Sequence, residues 1–79
     1  MTPPRHGGMR WSPARYNELE AATAAHRRVA VTRRGSEFVV VARRILTSPK
    51  EALVGLLPMT GEEMVFPLDE IDAFQVVER

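Results

Sequence analysis

The side chains with the most chemical capacity in this chain are its arginines and its carboxylates, and they are unevenly placed. Arg27 and Arg28, Arg33 and Arg34, and Arg43 and Arg44 come as three adjacent pairs. Guanidinium groups at that density can contact successive phosphates, with Trp11 or Tyr16 as an aromatic surface on which a base stacks. Set against this, the sequence pI near 8.4 is low for a dedicated nucleic-acid binder, and aromatic residues make up only 6% of the chain. The carboxylates gather elsewhere, as Asp69, Glu70 and Asp72, with Glu18 and Glu20 earlier in a helix-forming stretch. Carboxylates at such spacing have the donor type for a divalent cation or a shared proton, but on so short a connection they more naturally accept from amides and face water. His6 and His26 are isolated, and in a chain without Cys they give no metal-ligand spacing. His26, just before Arg27, fits a helix C-terminus, where it helps to satisfy the last carbonyls.

No P-loop, nucleophile elbow or dinucleotide fingerprint occurs, since Gly7 and Gly8 lack the strand-to-helix context those motifs need. A chain of 79 residues also has little room for a substrate pocket of several hundred cubic ångströms. The expectation is a non-enzymatic protein with no catalytic residue, no cofactor and no metal.

The charge is nearly balanced overall but not between the halves. Up to Lys50 there are ten basic and three acidic residues, giving +7; from Glu51 onward there is one basic residue against seven acidic, giving −6. Such asymmetry implies a polarised surface, a homo-oligomer whose subunits meet basic face to acidic face, or cross-strand ion pairs that interleave the two sets.

Length allows one domain, and chains this short bury only about 60% of the surface they expose when unfolded. With no Cys to form disulfides, an apolar core or association must hold the fold. Residues 1–11 carry Pro, Gly and Arg and have the composition of a flexible tail, leaving 12–79 as the folded domain. Trp11 is expected to pack against that domain. No apolar run is long enough to cross a bilayer or to form a signal-peptide core, so a cytoplasmic location and no membrane partner are expected.

The elements follow from local pattern. Ser12 followed by Pro13 is a helix start, and PARYNELEAATAA predicts a helix from Pro13 to about Ala25 with Tyr16, Leu19, Ala22 or Thr23, and His26 on one side. RVAVTR, Arg28 to Arg33, alternates as a half-buried strand, and Arg34, Gly35 and Ser36 form a tight connection in which Gly35 supplies a positive φ. EFVVVARRIL, Glu37 to Leu46, is apolar on both alternating sets, as in a strand covered on both faces or bent between two sheets. After Thr47 to Lys50, ALVGLL is a third strand, with Gly55 marking a sharp bend or a close backbone approach. EMVFPL is a fourth, with Pro67 suiting an edge; LDEID is one turn of 3-10 helix; AFQVV closes the chain.

This order predicts a mainly β domain with one N-terminal helix, a small five-stranded antiparallel barrel of the SH3-like or Sm-like kind. The alternative is an open antiparallel sheet with the helix packed across it. In layout the chain resembles the Rof proteins, small inhibitors of the termination factor Rho. The matching residues are Trp11 and Pro13, then Tyr16, Leu19 and Glu20, then Leu68, Asp69, Ile71 and Phe74. The resemblance implies an Sm-like barrel and a Rho-like factor as partner. The Rof helix, however, is strongly acidic, as suits a protein that occupies an RNA-binding surface, whereas Arg15 and Asn17 dilute that charge here.

Two functions are therefore expected as alternatives. One is a regulatory protein-binding module acting through Glu18, Glu20, Asp69, Glu70 and Asp72 or an exposed strand edge. The other is an RNA- or DNA-binding module acting through Arg27, Arg28, Arg33, Arg34, Arg43 and Arg44.

Overall fold

Ser12 begins the folded chain as a helix cap: its hydroxyl accepts from the Arg15 amide at 3.2 Å, and Pro13 occupies the first helical position. A computed structural model of the protein describes residues 10–77, so the expected tail, with His6, lies for the most part outside the described residues. The helix, α1, spans Pro13–Ala24. Its buried side is Leu19, Ala22 and Thr23, and the Thr23 hydroxyl is satisfied by the Glu20 carbonyl at 2.7 Å. At its end His26 takes a left-handed φ of 53°, with its amide donating to the Thr23 carbonyl and that of Arg27 to the Ala22 carbonyl. This is the double hydrogen bond of a Schellman cap, made by the backbone; the His26 ring does not serve the last helical carbonyls as expected, its Nδ1 lying 3.3 Å from the Ala42 carbonyl oxygen instead.

Five strands follow, β1 Arg28–Arg33, β2 Ser36–Leu46, β3 Ala52–Leu56, β4 Glu63–Pro67 and β5 Ala73–Val76, with a 3-10 turn at Leu68–Glu70 between the last two. All pairings are antiparallel, and the strand order is β4-β3-β2-β1-β5. The molecule is thus mainly β with one helix, and the ladder is open: β4 and β5 are its two edges. Of the two expected architectures, the sheet with a helix packed on it is the one this pairing matches. No helix among the described residues is long and apolar enough to cross a membrane.

Three devices shape the sheet. Arg34 and Gly35, with φ of 52° and 82°, form the two-residue turn between β1 and β2, both in the left-handed region that twists a hairpin correctly. β2 is shared: Ser36 to Val41 pair with β1, Val41 to Leu46 pair with β3, and the register shifts between Ala42 and Arg44. That bulge is where the strand bends. Opposite it, Gly55 lets β3 approach Val40 closely, since a Cβ there would stand 2.6 Å from Val40 Cγ2.

The core is built from one face of the curled sheet and the buried side of α1: Leu19 and Ala22 meet Val29, Val31, Val40, Leu53, Phe66, Ile71 and Phe74. Phe38 of β2 reaches Phe66 of β4, ring centroids 5.6 Å apart. The expectation that β2 is covered on both faces is not met, because Val39 is 43% exposed while Val40 is fully buried. The apolar run reflects a strand that bends between two partners, and the outer face of its first half remains open.

Candidate functional site

The aromatic residues at the start of the chain are positioned by the end of it. The Trp11 indole N–H donates to the Leu68 carbonyl at 3.0 Å, and its ring stacks on Phe74 at 5.5 Å with 21° between planes. Arg15, one turn into α1, lies 4.3 Å over the Phe74 ring and donates to the Phe74 carbonyl at 3.0 Å and to Glu18 at 2.8 Å. The Leu68 amide donates to the Glu51 carbonyl at 3.0 Å, which draws the 3-10 turn against the start of β3. Between these elements is a cleft of about 290 Å³ lined by Trp11, Tyr16, Lys50, Glu51, Leu68 and Asp69. Its lining combines Trp11, Tyr16 and Leu68 with the charged Lys50, Glu51 and Asp69.

Two observations describe the potential in the cleft. Lys50 Nζ sits 2.9 Å from an Asp69 oxygen, and this hydrogen bond pushes the ammonium above its ordinary pKa. The Tyr16 phenol is also pushed above its ordinary value of 10.0, first by desolvation and then by Glu51 and Glu20, so both carboxylates act at its hydroxyl. The lining carries Glu51 and Asp69 against Lys50, one minus two or a net charge of −1, with Glu20 acting at Tyr16 and Glu70 at Lys50 from beside it.

The five carboxylates expected to bind a partner do not form one patch. Asp69 lines the cleft and Glu20 stands beside it. Glu18 is held by Arg15 and lines a second, shallower cleft of about 280 Å³ with Ala21, Ala22, Arg27 and Val76. Glu70 approaches Arg34 at 3.9 Å and also acts at Lys50 of the cleft, and Asp72 accepts from the Arg34 amide of the β1-β2 turn at 2.9 Å. Among the described residues no three His, Asp or Glu side chains come together as a metal site. Glu51 and Lys50 belong to the cleft although the sequence did not single them out. Nothing local could have done so, since the Leu68-to-Glu51 hydrogen bond that places them spans distant parts of the chain.

The arginines divide as well. Arg27, Arg28 and Arg43 are exposed at the end of the sheet where α1 hands over to β1, with the Ala42 amide donating to the Arg27 carbonyl at 2.9 Å. Arg33 and Arg34 lie at the other end of β1, about 17 Å away at the usual rise of a strand. Arg33 is half-buried over the Phe38 and Phe66 rings at 5.6 and 5.1 Å, and Arg44 approaches Glu63 at 3.6 Å. Three ion pairs, Arg34 to Glu70, Arg44 to Glu63 and Lys50 to Asp69, join the basic half of the chain to the acidic half. Folding therefore interleaves much of the charge asymmetry.

No family model, curated protein or solved structure matches this chain.

Proposed function

We propose that this protein is a non-catalytic, regulatory binding module that engages a basic surface of another protein through the carboxylates around the Trp11–Tyr16 cleft. The observation that carries the reading is the gathering of Glu20, Glu51 and Asp69 beside Trp11 and Tyr16 in a cleft that the fold leaves open to solvent. A small acidic protein surface of this kind suits a target that otherwise holds nucleic acid, which is the mode implied by the resemblance to the Rof proteins, with a Rho-like factor as the target class. The same reading takes the curled sheet as an Sm-like barrel. In its support, β2 turns from one partner strand to the other at the Ala42/Arg44 register shift, and the Phe38 and Phe66 rings meet across its interior.

A second reading has its own observation. Arg27 and Arg43 make no ion pair among the described residues, and they flank the α1-β1 junction on an exposed surface that could track a phosphate backbone.

Affinity capture from host lysate, with and without nuclease, separates the two. The wild type is compared with Glu20→Lys/Glu51→Lys/Asp69→Lys and with Arg27→Glu/Arg43→Glu. A protein that survives nuclease, is retained by the arginine variant and is lost from the carboxylate variant is the expected result. Capture that vanishes with nuclease or with the arginine variant moves the assignment to nucleic acid. Equal retention by all three overturns both.

A further inference from the structure

The cleft has a chemistry more specific than negative charge, and we infer that it is a receptor for a single arginine side chain presented by the protein partner. This deepens the module reading and rests on it. The cavity is lined by Trp11, Tyr16 and Leu68 together with Lys50 and the carboxylate-bearing Glu51 and Asp69. A guanidinium is the cationic group that uses all of these at once. It is planar and weakly hydrated, so it stacks on aromatic rings, and its forked N–H groups bind a carboxylate through two parallel hydrogen bonds. A lysine ammonium is a compact, strongly hydrated point charge, and the cleft already contains one in Lys50, hydrogen-bonded to Asp69 at 2.9 Å. An incoming guanidinium has Glu51 and the second Asp69 oxygen to bind, with Glu20 adding to the field. The pair between Lys50 and Asp69 is solvent-exposed on both sides, with side chains 63% and 61% accessible, so it yields to a better donor at little cost. The cavity of about 290 Å³ suits one side chain rather than a folded ligand. The Tyr16 pKa is raised first by desolvation and then by Glu51 and Glu20, and of these carboxylates Glu51 is one of the two offered to the guanidinium.

Trp11 is the chain's one tryptophan, so its fluorescence reports on the cleft directly. The experiment titrates the full-length protein with the blocked tripeptide Gly-Arg-Gly and with its lysine and citrulline counterparts, following tryptophan emission at low and moderate salt. The arginine peptide is expected to give a saturable change with a dissociation constant of about a millimolar, as befits one side chain on a surface cleft. Glu51→Gln and Asp69→Asn, both exposed and structurally benign, should each weaken it by roughly threefold to tenfold. Because Trp11 already stacks on Phe74, proton–nitrogen NMR shifts at Trp11 Nε1, Leu68 and Glu51 serve as a second readout that does not depend on ring quenching. An equal response to citrulline or lysine overturns guanidinium recognition, and so does an arginine response unchanged by both carboxylate variants. If arginine peptides leave Trp11 unmoved while partner capture still depends on Glu20, Glu51 and Asp69, the arginine receptor falls and the wider module reading stands. If arginine binds as described and no carboxylate-dependent partner is captured, the cleft chemistry stands and the wider reading falls.

Discussion

Gly55 is the position where a single added methyl group tests the packing of the whole sheet. Its backbone does not occupy the left-handed region, so Gly55→Ala introduces no φ strain, and the effect is steric alone. The new Cβ would stand 2.6 Å from Val40 Cγ2 and 2.8 Å from Val40 Cβ, about 1 Å inside the ordinary carbon–carbon separation. Val40 is fully buried between Gly55 and the core, and its Cβ is fixed to the backbone of the central strand, so it cannot simply rotate away. Overpacking of this kind costs about 2–3 kcal/mol. In a domain of this size that corresponds to a fall in Tm of roughly 10–20 °C. Val40→Ala alone removes two buried methyl groups and also destabilises, by about 2 kcal/mol. The double variant relieves the Cγ2 contact but not the Cβ contact, so its loss should fall short of the sum by about 1 kcal/mol or more. Urea denaturation of the wild type and the three variants, read by circular dichroism, closes the cycle. A Gly55→Ala protein within about 0.5 kcal/mol of wild type, or strictly additive losses in the double variant, would refute the claim that the Val40 side chain rests on the bare backbone of Gly55.

Three further outcomes are expected. Ser12→Ala removes the cap on α1 and should lower stability by about 1 kcal/mol, whereas Ser12→Asp should retain it; thermal melts distinguish them. Trp11→Phe keeps a ring over Phe74 but loses the donor to the part-buried Leu68 carbonyl, a loss of about 1 kcal/mol in a urea titration. The pKa values of Tyr16 and Lys50 are both raised by folding, so their contribution is fully present below the unfolded values of 10.0 and 10.5 and is lost as pH rises through the folded ones. Stability should thus decline above about pH 10, and Tyr16→Phe combined with Lys50→Met should flatten that decline; an unchanged alkaline slope would show that neither group is responsible.

Much of the fold was legible because its signals are local. Ser12 and Pro13 mark the helix start in the sequence and mark it in the molecule, and RVAVTR gave β1 its bounds, although the expected half-buried alternation is not met because Ala30 is buried along with Val29 and Val31. Gly55 could be recognised as a close approach, though not Val40 as the residue approached. Whether the sheet closes was not legible, because that depends on how far β2 bends at Ala42 and Arg44, and no residue there announces a bulge. The site was readable in part. Glu20 and Asp69 lie beside one cleft with Trp11 and Tyr16, whereas Glu18 pairs with Arg15 and Glu70 and Asp72 meet Arg34, groupings that spacing alone does not give. Arg33 carried the same chemical promise as Arg27, yet it lies over two rings while Arg27 meets solvent. Burial of a long side chain is decided by what crosses beneath it, which one-dimensional spacing does not contain.

The pairing of β5 with β1 has a consequence for the order in which the molecule assembles. The β1-β2, β2-β3 and β3-β4 ladders each join strands adjacent in sequence, whereas Val29 pairs with Val76 and closes a loop that contains all the others. Closing that loop carries the largest entropic cost in the sheet and yields contacts only at the end. The helix α1 packs chiefly on β2, whereas Trp11 and Arg15 reach Phe74 of β5, so this corner of the molecule is complete only once β5 is in place. Through Phe74 the Trp11 wall of the cleft thus leans on β5, the strand whose pairing closes the longest loop. A ligand held there would slow amide exchange along β5 more than along the β1-β2 hairpin, coupling occupancy of the surface to the weakest seam of the sheet.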